Sequence, residues 1–176
     1  MKLLPAKKKH LGVLCGFAPL IMGLLLYSCD SKSGHLAIGR QAPNFSYLGL
    51  DGETRELKEL RGNVVFLRFW ADWCPYCETE MQMIDKIYME IKEKGFIVLA
   101  VNVKQSEAKV RAYVEKYNLS FPMALDPKGK IADKFQVRGL PMNFLINREG
   151  ILKEFIIGAI SDVEMLREYL EPYSIL

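Results

Sequence analysis

The sequence predicts an α/β fold, a mixed central sheet flanked by helices on both faces. Three observations carry this prediction. First, two β-rich apolar runs, Val64 to Trp70 and Phe96 to Val103, hold a single charge between them, Arg68. That is the pattern of strands buried on both faces. Second, each run is followed by apolar residues at helical spacing, and strand-helix alternation implies parallel neighbours. Third, Phe144–Ile146 and Ile151–Ile157 flank Asn147-Arg148-Glu149-Gly150, a hairpin turn that adds antiparallel pairing.

The elements follow in order. Pro43 to Leu48 reads as a short edge strand, with a turn at Asp51-Gly52. Leu57 to Leu60 reads as one helical turn before Arg61-Gly62, and Val64 to Trp70 is a central strand. Pro75 to Lys94 is a helix whose inner face is Met81, Ile84, Ile87, Tyr88 and Ile91, ended by Gly95. After the strand Phe96–Val103, Ser106 caps a helix to Tyr117, with Val110, Tyr113, Val114 and Tyr117 as its inner stripe. Phe121 to Leu125 is a short strand and Ile131 to Phe135 a short helix. After the hairpin, Asp162 to Leu170 is a closing helix capped by Ser161. The Met and Tyr residues on these stripes read as core fillers rather than a cofactor box.

Composition narrows the chemistry. A chain of 176 residues is one domain plus a little extra. Apolar residues make up 50% and charged residues 26%, ordinary globular usage that argues against disorder. The cysteines are Cys15, Cys29, Cys74 and Cys77, and the histidines are His10 and His35. A structural zinc site wants paired Cys/His ligands, and only one pair here is tightly spaced. A Cys-His hydrolase needs a histidine inside the folded domain, and both histidines precede residue 36. No metal is expected.

The start of the chain is a separate object. Lys2, Lys7, Lys8 and Lys9 precede an uncharged run from Leu11 to Ser28, the basic and apolar regions of a secretory signal. Leu26-Tyr27-Ser28-Cys29 resembles a bacterial lipobox, which implies acylation of Cys29. An uncleaved anchor helix and a buried core helix are the competing readings. The lipoprotein reading divides the chain into a signal at 1–28, a tether at 29–36 and a domain at 37–176. Removing the signal takes away four lysines and no acids. Twenty basic and twenty-one acidic residues remain, a charge of −1. The basic balance therefore belongs to the signal, and no nucleic-acid partner is expected.

The reactive chemistry lies in Trp73-Cys74-Pro75-Tyr76-Cys77. A helix N-terminus presents unpaired N–H groups and a partial positive charge, both favouring thiolate over thiol. The spacing lets Cys77 close a disulfide with Cys74, and Pro75 suits the first helical position. Cys74 is then the attacking thiolate and Cys77 the resolving thiol. The competing readings are half of a zinc site, which the inventory does not complete, and a structural disulfide, whose loop is too small to add much stability.

Phe69-Trp70-Ala71-Asp72-Trp73-Cys74-Pro75-Tyr76-Cys77 resembles the thioredoxin-fold active site. Its continuation through Glu80 is similar to the TlpA/ResA-like, membrane-tethered subfamily. Val137-Arg138-Gly139-Leu140-Pro141 resembles that family's loop before a cis-proline, and Phe144-Leu145-Ile146-Asn147 with Gly150 matches the hairpin that follows. The resemblance runs from about Ala37 to the C-terminus. It implies a thioredoxin fold and a redox-active Cys74–Cys77 disulfide with no further cofactor. Pro141 would leave the backbone of Leu140 free to pair with an extended substrate segment. Glu80 would be a partly buried acid relaying the proton of the resolving thiol; the alternative is a solvated first-turn glutamate. Trp73 and Tyr76, beside Pro75, form a substrate platform or simply pack around the loop.

Two positions depart from the family pattern. Arg68 replaces a neutral polar residue. It either pairs with an acid, with Glu80 the candidate, and so weakens Glu80 as a proton acceptor, or snorkels out at the strand end. Met142-Asn143 replaces small hydroxyl residues and bears on partner choice. The resemblance implies a monomeric thiol-disulfide oxidoreductase in the bacterial cell envelope, lipid-anchored on the extracytoplasmic side. It would reduce protein disulfides, with cytochrome c apoproteins or copper-site assembly proteins as clients, and be recharged by a membrane electron donor. The rival readings are a peroxidase on the same scaffold and a metallochaperone holding Cu(I) between two thiolates.

Overall fold

The computed structural model describes residues 36–176. The expectations for the signal, for Cys29 and for the tether up to residue 35 concern residues outside that range. The elements run β1 (Ser46–Gly49), β2 (Thr54–Glu56), β3 (Val64–Trp70), α1 (Pro75–Ile91), β4 (Phe96–Val103), α2 (Glu107–Tyr117), β5 (Met123–Asp126), α3 (Lys130–Lys134), β6 (Met142–Ile146), β7 (Leu152–Ile157) and α4 (Val163–Leu170). Short 3-10 turns occupy Leu57–Leu60, Lys92–Lys94 and Glu171–Tyr173.

All seven strands join one sheet in the order β2-β1-β5-β4-β3-β6-β7. Strand β4 is parallel to both β3 and β5, because α1 and α2 return the chain to the same end each time. Antiparallel β6 and β7 extend the sheet beyond β3, and β1 pairs antiparallel with β5. This is the mixed sheet of the thioredoxin fold.

Every residue of β3 is buried. Val64, Phe66 and Trp70 meet α1, α2 and α4 in one core, while Val65, Leu67 and Phe69 meet Phe45, Tyr47, α3 and Phe135 in the other. Burial on both faces explains why the run is apolar throughout except at Arg68. Helix α1 buries Met81, Ile84, Ile87 and Ile91 against this sheet, each worth about 2 kcal/mol. Gly95, at φ 82°, ends the 3-10 turn that follows α1 in the left-handed conformation.

Three expectations need correction. The strand expected over Pro43–Leu48 starts later and is not an edge, because Asp51-Gly52 folds the chain back and β2 covers β1. Strand β2 is short, polar and without alternation, so no periodic signal marks it. The cap of α4 is Asp162, not Ser161: the Asp162 carboxylate accepts the Met165 N–H at 2.8 Å, and the Ser161 hydroxyl donates to Asp162 instead. Ser106 occupies the N-cap of α2, but its side chain makes no capping hydrogen bond.

Candidate active site around the Cys74–Cys77 pair

The chain leaves β3 at the C-terminal edge of the sheet and turns through Ala71, Asp72 and Trp73 into α1. Cys74 is the N-cap and Pro75 the first helical residue. The Cys74 N–H donates to the Ala71 carbonyl at 3.2 Å, and the Cys77 N–H to the Cys74 carbonyl at 3.0 Å. The two cysteines are joined as a disulfide with Cα atoms 5.4 Å apart. Cys77 is fully buried and Cys74 is 2% exposed. A partner therefore reaches the pair at Cys74, where the helix terminus also favours negative charge.

Trp73 and Tyr76 stand 67% and 66% exposed, so packing around the loop does not account for them. The Leu140–Pro141 peptide is cis. Strand β6 opens directly after it, with Met142 opposite Phe69. Pro141 thus lies at the sheet end where β3 gives way to the cysteine loop, and Leu140 packs against the core that contains both cysteines.

The loop itself is clamped from β4. Gln105 Oε1 accepts the Asp72 N–H at 2.9 Å and the Asn102 amide at 2.8 Å. Gln105 Nε2 donates to the Asp72 carboxylate. No motif marks Gln105, because its role depends on the turn after β4.

Behind the disulfide lies a buried charged network. Glu80, one helical turn beyond Cys77, is buried, which removes the solvated-glutamate reading. Its two oxygens are both engaged: one accepts from the Arg68 guanidinium, the other from the Ile160 N–H. Arg68 is fully buried, which removes the snorkelling alternative. Its other terminal nitrogen donates to Asn143 Oδ1 at 2.8 Å, and Asn143 Nδ2 donates to the Gly158 carbonyl at 3.3 Å. Burial lowers the Arg68 pKa from its ordinary value, opposed by Glu80, and the guanidinium remains charged. Tyr113, packed at a 46° tilt against Trp70 with ring centroids 4.5 Å apart, has its phenol pKa raised by burial.

The Arg68–Glu80 pair matches the sequence expectation, whereas Asn143, expected to bear on partner choice, instead binds Arg68, and nothing in the sequence marks the Ile160 N–H. Arg68 and Asn143 are direct cross-strand neighbours between β3 and β6. Only the register reveals that Asn143, where a small hydroxyl residue is usual, is the second partner of an unusual arginine.

Comparison with known proteins places these features in context. Residues 38–155 match the AhpC/TSA family. A thiol-disulfide oxidoreductase ResA of Bacillus cereus is 39% identical over 164 residues, covering 92% of this chain and 88% of the relative. A ResA of Halalkalibacterium halodurans is 41% identical over 151 residues, with 85% of each chain covered. Among solved structures, a Chlorobium tepidum protein described as a thiol:disulfide interchange protein, DsbE, superposes with a TM-score of 0.74 at 31% identity, over 79% of this chain and 99% of that one. The thioredoxin domain of a Bacteroides vulgatus thiol-disulfide oxidoreductase gives 0.67 at 23% identity, over 77% and 99% of the two chains, and bears on the fold alone.

Proposed function

We propose, from the premise that this chain belongs to the AhpC/TSA family and, like its ResA relatives, is a thiol-disulfide oxidoreductase, that it acts as a reductant of client-protein disulfides outside the cytoplasm. The observation that carries the reading is Cys74 at the N-cap of α1, the outer member of a pair whose inner member is sealed.

The steps balance as two thiol-disulfide exchanges. The Cys74 thiolate attacks one sulfur of a client disulfide, forming a mixed disulfide and expelling the other client sulfur as a thiolate, which takes a proton from water. Cys77 loses its proton and attacks Cys74 Sγ. The Cys74–Cys77 disulfide forms and the second client thiol departs. The client gains two electrons and the pair loses two. A membrane dithiol protein, reversing the same exchange, restores the reduced pair.

Trp73 and Tyr76 offer an exposed aromatic rim for the client, Pro75 sets the helix start, and Leu140 beside Pro141 offers backbone for an extended segment. Glu80 is the buried acid nearest the resolving thiol. Cytochrome c apoproteins are the proposed clients. Anchoring through an acylated Cys29 at the outer face of the membrane, after loss of 1–28, rests on the basic-apolar start and the lipobox-like Leu26–Cys29. The enzyme is proposed to act as a monomer.

The test is disulfide reduction by the reduced protein, with insulin as substrate, alongside Cys77→Ser and Cys74→Ser. The expected result is turnover by the parent, accumulation of a mixed disulfide with Cys77→Ser, and neither with Cys74→Ser. Tight stoichiometric Cu(I) binding with no disulfide reduction would instead favour the metallochaperone reading.

A further inference from the structure

A buried arginine facing the core of a central strand is costly, and the fold matches it to one carboxylate. Arg68, fully buried in β3, spends one terminal nitrogen on Glu80 of α1 and the other on Asn143 of β6. Glu80 spends its second oxygen on the Ile160 N–H, just before α4. Both carboxylate oxygens thus have a donor on the side of the helix away from solvent. Residues three apart on a helix have Cβ atoms about 5–6 Å apart, so Cys77 is close to the carboxylate it leads.

We propose that Arg68 is a positioning residue for the redox chemistry: it holds Glu80 in a neutralised ion pair, so that the carboxylate neither opposes thiolate formation at the cysteine pair nor takes the Cys77 proton. The inference rests on Cys74 acting as the attacking thiolate. It assigns Glu80 a role as the counter-charge of a fixed pair rather than as a proton relay. The Cys77 proton then leaves by the solvent side, through the mixed-disulfide opening at Cys74.

The groups facing the pair are few. Helix α1 presents Cys74 and Cys77, α2 presents the Tyr113 phenol, β6 presents the uncharged Asn143, and the segment before α4 presents only the Ile160 backbone. Burial raises the Tyr113 pKa, so its phenol carries no charge at neutral pH. The other charges close to the thiols are Glu78 in the first turn of α1 and Asp72, which faces Lys109 of α2 at 3.8 Å; all three are exposed and unchanged in the variants below, so differences between variants report on Arg68 and Glu80.

Opposite signs make the test. The rate of Cys74 alkylation is measured against pH in the reduced parent, Arg68→Met, Glu80→Gln and the double variant. Arg68→Met leaves an uncompensated carboxylate; its profile is expected to move to higher pH or split into two steps, with alkylation at pH 7 roughly tenfold slower. Glu80→Gln leaves an uncompensated guanidinium, and its profile is expected to move to lower pH. The double variant is expected near the parent. A merely structural Arg68 would reduce stability without giving shifts of opposite sign. The proposal is overturned if Glu80→Gln leaves the profile in place, or if both single variants move it the same way. Glu80→Gln alone decides the matter should Arg68→Met not fold. Loss of insulin reduction by the parent would instead remove the oxidoreductant reading, whatever the alkylation profiles do.

Discussion

Removing one partner of the buried pair has a stability consequence that can be worked from the contacts. Glu80→Ala leaves the Arg68 guanidinium without its counter-charge in a fully buried site and the Ile160 N–H without an acceptor. Breaking a buried ion pair from one side costs about 3–5 kcal/mol, and the orphaned N–H pushes the loss to the upper part of that range. For a domain of this size that is a fall in Tm on the order of 10 °C. Replacing both charges at once, Arg68→Met with Glu80→Met, removes the charges together with their desolvation. It also removes Arg68 Nε, which finds no acceptor among the described residues. The residual losses are the Asn143 carbonyl oxygen without its donor and the Ile160 N–H without its acceptor, offset by the removed desolvation, so the double variant is expected within about 2 kcal/mol of the parent. The assay is urea unfolding of the oxidised proteins at pH 7, read as a change in midpoint at constant slope. A loss below about 1 kcal/mol for Glu80→Ala, or a double variant as unstable as the single, would refute the reasoning.

Three further outcomes are expected. Ile84→Ala, which empties a fully buried position between α1 and the sheet, should cost about 2–5 kcal/mol in the same assay. Gln105→Ala should raise hydrogen exchange at the Asp72 amide and slow client reduction severalfold, because both clamps on the cysteine loop are lost. Asp51 has its pKa held down to about 2, first by its hydrogen bond with Arg55 and then by the Glu53 N–H. Its folded value lies below the unfolded one. Its stabilising contribution is therefore present above about pH 4 and lost as pH falls towards 2. Urea midpoints of the parent should fall over that window more steeply than those of Asp51→Asn.

The strands that build the centre of the molecule were readable because burial on both faces demands continuous apolar runs: Val64–Trp70 and Phe96–Val103 match β3 and β4 residue for residue. Helix α1 was equally plain, since its stripe at helical spacing ends in a left-handed glycine. Strand β2 was not readable. Thr54–Glu56 is held by backbone pairing to β1 and by the Asp51–Arg55 ion pair, neither of which leaves a periodic trace. At the site, the cysteines were marked by their spacing at a helix start, and Glu80 by the family resemblance that continues from them. The partners Asn143 and Ile160 were hidden because they reach the network across sheet register and a distant loop. Arg68 was noticed for being out of place, and the fold explains it by supplying three partners from three other segments, directly or through Glu80.

The most direct test of the proposed role is the reduction potential of the Cys74–Cys77 pair, equilibrated against dithiothreitol or glutathione buffers. A reductant of client disulfides is predicted to lie near the thioredoxin end of the range, at about −270 mV. A value near that of a strong oxidant, about −120 mV, would contradict the account and make this enzyme a donor of disulfides.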